Sequence, residues 1–131
     1  REFEGVRSIL IICPASLKQQ WAREIQKFTD LTVQVIQGTP QQRGVQYRRT
    51  CSFIIINYEL LLRDLSLINE RVRPDLIILD EAQRIKNWRT KIAAAVKQIS
   101  SRYVFVLTGT PLENRLEDLY SLMQVIDPKI L

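Results

Sequence analysis

No histidine occurs anywhere in the sequence. Histidine triads, histidine metal sites and a side chain that titrates near neutrality are thereby excluded. Glycine is scarce, at Gly5, Gly38, Gly44 and Gly109, and none is followed by lysine. The Gly-rich loop ending in Gly-Lys-Ser/Thr that cradles nucleotide phosphates is therefore not among these residues. Cysteine is limited to Cys13 and Cys51, each beside a short apolar run. One disulfide could join them, but two buried, reduced thiols are the expectation, and with them an intracellular, cytoplasmic setting, nucleoid-associated in a prokaryote. No apolar run approaches the ~18 residues of a membrane span, and no secretory signal is present, so no membrane partner is expected. The one methionine is Met123 and the first residue is Arg1. A natural chain starts with Met, so the expectation is a piece of a longer protein.

What is present suits a single folded unit over residues 1–131. Apolar residues make up 46% and charged residues 25%, the balance of a globular domain with a real core. The net charge is +5. Six basic residues lie between Arg84 and Arg102 with no acidic one among them (Arg84, Lys86, Arg89, Lys91, Lys97 and Arg102). Such a stretch is either a solvated helix face or a polyanion contact.

Four short apolar runs, Ile9–Cys13, Phe53–Ile56, Leu76–Leu79 and Tyr103–Leu107, are rich in β-branched or aromatic residues. Runs of this kind suit strands buried on both faces. Thr32–Ile36 alternates more and belongs nearer an edge. Helix signals fall between the runs. Ser16 with Gln19 has the spacing of a capping box ahead of Leu17, Trp21, Ile25 and Phe28. Thr39-Pro40 with Gln42 starts a second, more polar helix, and Asn57 is placed to cap a short leucine-rich one through Leu62. Ile92, Val96 and Ile99 mark another. Asn114 with Glu117 forms a further box ahead of Leu116, Leu119, Tyr120, Met123 and Ile126. Strands alternating with helices give an α/β fold with a mainly parallel sheet and helices on both faces. In such sheets ligands bind at the carboxyl ends of the strands.

The chemistry-bearing residues follow the apolar runs. Leu76–Leu79 delivers Asp80 and Glu81 to one edge of the sheet. Neighbouring side chains on a strand point apart, so the two carboxylates can take different tasks. In phosphoryl transfer one carboxylate holds Mg²⁺, here Asp80, and the other orients and deprotonates the attacking water, here Glu81. The bland alternative is a pair of solvated acids that cap the next helix. After Tyr103–Leu107 come Thr108, Gly109, Thr110 and Pro111, where two hydroxyls flank a glycine. That segment alone could be an ordinary turn.

Taken together, these stretches resemble the first RecA-like lobe of the Swi/Snf-type ATPases of helicase superfamily two. Cys13-Pro14-Ala15-Ser16-Leu17 with Trp21 is similar to motif Ia. Asn57-Tyr58-Glu59 is similar to the motif Ib region. Asp80-Glu81-Ala82-Gln83 with Arg84-Ile85-Lys86-Asn87 is similar to motif II and its family extension. Leu107 through Asn114 is similar to motif III. Gln83, where many relatives carry histidine, resembles the bacterial and archaeal branch.

The resemblance implies a P-loop NTPase lobe without its P-loop strand, spanning motifs Ia to III with motif I absent. It implies a parent protein that uses ATP and Mg²⁺ to move on double-stranded DNA together with a second motor lobe. Asp80, Glu81 and Gln83 would face the nucleotide, with Mg²⁺ on Asp80. Gln83, Thr108, Gly109 and Thr110 would couple nucleotide state to nucleic-acid grip. Pro14, Ser16, Asn57, Tyr58, Lys86 and Asn87 would face nucleic acid. These 131 residues alone are expected to bind no cofactor and to turn over no ATP. An open edge at Tyr103–Leu107, beside the missing strand, is expected to invite self-association. The competing readings are a degenerate lobe that only binds DNA or protein, and a different magnesium-dependent phosphotransferase.

Overall fold

The computed structural model describes residues 7–109 and 111–126; of Glu113, Tyr120 and residues 122–126 it describes the backbone alone. The strands are β1 (Ile9–Cys13), β2 (Val33–Val35), β3 (Phe53–Asn57), β4 (Leu76–Asp80) and β5 (Tyr103–Leu107). They form one sheet in the order β2-β3-β1-β4-β5, and every pairing is parallel. The helices are α1 (Lys18–Phe28), α2 (Pro40–Arg48), α3 (Tyr58–Arg63), α4 (Leu65–Arg71), α5 (Trp88–Gln98) and α6 (Leu112–Ile126).

The continuous apolar runs are explained by the layers. On one face Ile9, Ile11, Phe53, Ile55, Leu76 and Ile78 pack under Trp21 and Ile25 of α1 and Leu112, Leu116 and Leu119 of α6. On the other, Leu10, Ile12, Ile54, Ile56, Ile77 and Leu79 meet apolar side chains of α3, α4 and α5. A central strand covered on both faces has no solvent side to carry polar residues. β2 is an edge strand of half-buried residues, as its alternation predicts. β5 is the other edge, with Val104 and Val106 exposed at 44% and 48%.

The helix starts differ from expectation in three places. Residues 15–17 form a 3₁₀ turn, closed by Leu17 N–H donating to Pro14 O, so α1 begins only at Lys18 and no side chain caps it. Ser16 lies inside that turn, one residue too early to act as its cap. Asn57 does occupy the residue before α3, but its Oδ1 accepts from Lys18 Nζ at 3.1 Å instead of from a helix amide. A charged donor makes the stronger bond. α6 begins at Leu112, directly after Pro111, so Asn114 sits in the first turn and not before it. The Thr39–Gln42 box is formed in both directions.

Buried polar groups hold the α2–α4 side together. Arg43 grips Asp64 through Nε at 2.8 Å and Nη2 at 3.0 Å, and Tyr47 Oη donates to the same carboxylate at 2.9 Å. Asp64 stands at the junction of α3 and α4, directly after the short leucine-rich helix, which ends one residue beyond the expected Leu62.

Candidate functional site

The carboxyl ends of β4 and β5 build the site. Asp80, the last residue of β4, is fully buried. Its register partner is Leu107, and Glu81 N–H donates to Leu107 O at 2.9 Å. The strand ladder thus brings the carboxylate pair beside Thr108 and Gly109. Immediately after β4 the chain turns sharply. Glu81 takes the left-handed conformation with φ 56°, uncommon for a residue with a side chain. Backbone strain of this kind concentrates at functional sites, held there by its surroundings.

Two of those holds are visible. Gly109 N–H donates to Glu81 Oε2 at 2.8 Å, and the Gln83 amide donates to Glu81 Oε1 at 3.3 Å. Gly109 itself has φ 78°, which suits glycine. Gln83 also donates to Thr108 Oγ1 at 2.6 Å. The residues expected to couple the two motifs, Gln83, Thr108 and Gly109, are therefore in one hydrogen-bonded set with Glu81. Thr110 lies outside the described residues.

Asp80 has different company. Trp21 Nε1 donates to its Oδ2 at 2.9 Å. Arg115 Nη1 donates to Oδ1 at 2.6 Å and to Oδ2 at 2.8 Å. The Arg115 guanidinium also stands 3.7 Å from Glu81 Oε2, so one cation spans both acids. Tyr58 Oη donates to the Asp80 backbone carbonyl at 2.8 Å.

The electrostatics differ accordingly. Burial pushes the Asp80 carboxyl up; Trp21 and Arg115 pull it back, and the Glu81 charge adds to the rise. The Glu81 carboxyl is held below the usual range, first by the Gly109 N–H, then by the Arg115 charge and the Gln83 and Thr108 contacts. Two adjacent acids in one site thus respond in opposite directions, the pattern expected when environments separate their roles.

The expected nucleic-acid residues fall into two groups. Pro14, Asn57 and Tyr58 line a groove of about 340 Å³ with Ala15, Glu59, Arg84 and Ile85. Ser16, Lys86 and Asn87 are exposed nearby in sequence but do not line that groove. Tyr58 is buried and turns its hydroxyl inward to Asp80, so that group is not presented at the rim. All six basic residues from Arg84 to Arg102 are exposed.

Two site residues escaped the reading of the sequence. Trp21 is a core residue by spacing, and nothing local says that its N–H meets a carboxylate 59 positions away. Arg115 did leave a signal. It sits three residues after Leu112 and four before Leu119, a charge on the apolar stripe of α6.

Among the described residues no three His, Cys, Asp or Glu side chains converge as a metal cage. Mg²⁺ does not need one, since it commonly binds through one or two carboxylates plus phosphate and water oxygens. A buried aspartate at a strand end with a neighbouring glutamate has the donor chemistry for that mode. No helix of the described residues is long and apolar enough to cross a membrane.

A profile of the SNF2-related domain matches residues 1–131. The chain is 38% identical over 124 residues to an uncharacterized ATP-dependent helicase of Mycoplasma pneumoniae, covering 93% of the chain and 12% of that protein. It is 33% identical over 127 residues to the ISWI chromatin-remodeling complex ATPase ISW1 of Saccharomyces cerevisiae, covering 92% of the chain and 11% of that protein. The SWI2/SNF2 ATPase core of Sulfolobus solfataricus, solved in complex with dsDNA, superposes with a TM-score of 0.63 at 37% identity, covering 94% of the chain and 25% of that core. The chain thus spans a small part of the relatives it matches.

Proposed function

The chain belongs to the SNF2-related domain family, and from that premise we propose that it forms part of the first lobe of an ATP-dependent motor that moves on double-stranded DNA. The observation that carries the reading is the Asp80–Glu81 pair at the end of a buried central strand, joined to the β5 end through Gln83 and Gly109. A lobe that had lost its chemistry would have no use for this arrangement, which counts against a purely binding module. The likeness to a core solved with dsDNA supports the choice of nucleic acid.

In this reading Asp80 faces Mg²⁺, which when bound would screen the phosphate charge and orient ATP. Arg115 sits on both Asp80 oxygens, so it must yield part of that carboxylate. Glu81 is deprotonated at neutral pH and accepts a proton from the attacking water, its orientation fixed by Gly109 and Gln83. Gln83 and Thr108 carry the state of that carboxylate to the β5 end. Pro14, Ser16, Asn57, Lys86 and Asn87 face the duplex, and the exposed basic residues after Arg84 add phosphate attraction. A second motor lobe completes the site, and two free thiols suit a cytoplasmic setting.

These 131 residues alone should not hydrolyse ATP. A positioned base contributes ~10²–10⁴-fold. The phosphate clamps matter more, since an arginine finger alone is worth ~10³–10⁵-fold. The decisive experiment compares the full-length protein with this segment. The full-length protein should hydrolyse ATP faster with duplex DNA, and Glu81→Gln should abolish that. The segment should be inactive, and its duplex affinity should fall steeply with salt. Full-length protein that binds duplex but never hydrolyses ATP would establish the binding-module reading instead.

A further inference from the structure

Asp80 is held from both faces of the sheet, by Tyr58 of one core cluster and Trp21 of the other. Its backbone carbonyl accepts from Tyr58 Oη and its Oδ2 accepts from Trp21 Nε1. Both aromatic rings are buried, Trp21 and Asp80 completely. Tyr58 fixes the backbone, so what remains adjustable is the carboxylate, whose Oδ2 accepts from Trp21 and Arg115 together.

Trp21 is the fourth residue of α1, whose approach is the turn at residues 15–17. The first residue of α1, Lys18, ties to Ile36 O at 2.7 Å and to Asn57 Oδ1. The start of α1, Asn57, Tyr58 and Asp80 are thus one connected set. An indole is rigid, has a single N–H and is packed here among sheet side chains. It cannot follow Asp80 by swinging. Any shift or rotation of the start of α1 must change its N–H···Oδ2 geometry, and hydrogen bonds weaken steeply off line.

We propose that Trp21 is a positioning residue through which the start of α1 sets the Asp80 carboxylate, so that duplex contact at residues 14–16 alters how Asp80 is presented to Mg²⁺. The inference rests on the reading of that segment as DNA-facing. It goes beyond that reading by naming the physical link between grip and carboxylate. A purely structural role would need Trp21 only to fill space and find some acceptor for its N–H.

The test uses the full-length protein and Trp21→Phe, which keeps most of the ring and removes the donor. Wild-type and variant are compared for duplex affinity, for thermal midpoint, and for ATP hydrolysis against Mg²⁺ concentration with and without duplex. The variant should bind duplex normally, need about tenfold more Mg²⁺ for half-maximal rate and lose about tenfold of its duplex stimulation, each a change of ~1.4 kcal/mol. A second readout needs no activity. With tryptophan ¹⁵N-labelled, the Trp21 indole resonance of the wild-type protein should move when short duplex is added. A variant with normal Mg²⁺ requirement and normal stimulation overturns the inference and leaves the motor reading standing. An indole resonance unmoved by saturating duplex does the same, and it decides the matter should Trp21→Phe fail to fold. Wild-type protein that neither binds nor responds to duplex removes the motor reading and this inference together.

Discussion

The side-chain amide of Gln83 donates to Thr108 Oγ1 at 2.6 Å, so a side chain joins the loops that follow β4 and β5 in addition to the strand ladder. The same amide touches Glu81 Oε1 at 3.3 Å. Gln83→Ala removes both contacts from an exposed position, where one hydrogen bond contributes about 0.5–1.5 kcal/mol. The fold should therefore survive with a slightly lower urea midpoint. In the full-length protein, ATP affinity should change little while duplex-stimulated hydrolysis drops by about tenfold or more, a loss of ~1.4 kcal/mol in transition-state stabilisation. Full stimulation in the variant would show that Gln83 is not part of the coupling.

Acid should act on the same loop through Glu81. Its carboxyl lies below the ordinary value of 4.5 in the folded chain, chiefly through the Gly109 N–H. The unfolded chain then binds more protons than the folded one around that value. The contribution of Glu81 to stability is complete above pH 4.5 and disappears as pH falls through the lowered folded value. Urea unfolding from pH 6 down should show wild type losing more stability than Glu81→Gln. Parallel curves for the two proteins would mean that the Gly109 contact is not formed in solution.

The buried pair Arg43–Asp64 gives a larger stability effect. The two side chains are exposed by only 5% and 8%, and three donors converge on the carboxylate. Asp64→Ala would leave a guanidinium buried without its charge partner, which costs about 3–5 kcal/mol. Tyr47→Phe removes one donor and should cost about 1 kcal/mol. The ordering, read from urea midpoints, is the test. A mild Asp64→Ala would mean that water reaches Arg43.

How much of this was legible in the sequence depended on range. The five strands, their parallel sense and the edge position of β2 follow from apolar runs and their spacing, which are local patterns. Asp80, Glu81, Gln83, Thr108 and Gly109 were legible because motif residues sit at strand ends, and the sheet then brings those ends together. Ser16 and Asn57 show where local rules lose. Each has the right residue type for a cap, but a 3₁₀ turn displaces one and the Lys18 ammonium captures the other. The contacts of Trp21, Tyr58 and Arg115 reach partners 59, 22 and 35 residues away, and local pattern names none of those partners, although the charge of Arg115 on the apolar stripe of α6 marks that residue as unusual.

The cysteines test the same core chemically. Cys13 is buried at the end of β1, and burial, with the Asp80 charge adding, pushes its thiol up to about 12. The thiolate is the reactive form, so Cys13 should resist alkylation near pH 8. Cys51 is half-buried, and burial does not protect it to the same degree. Iodoacetamide followed by peptide mass mapping should find Cys51 modified first in the native chain, and both modified in urea. Cys13 reacting as fast as Cys51 would mean that the β1 end opens readily.

The outer edge of β5 sets the behaviour of the isolated segment. Among the described residues β5 pairs with β4 alone, and Val104 and Val106 project into solvent on this edge strand. An apolar edge with unpaired N–H and C=O groups is a template for another strand, and lysines on such an edge oppose pairing. The segment should therefore associate as concentration rises, with sedimentation shifting toward dimer or larger species. Replacing both Val104 and Val106 with lysine should return it to monomer without lowering the unfolding midpoint, because neither side chain belongs to the buried core. A wild-type segment that stays monomeric at high concentration would count against edge pairing. A lysine double variant that still associates would place the contact elsewhere on the molecule.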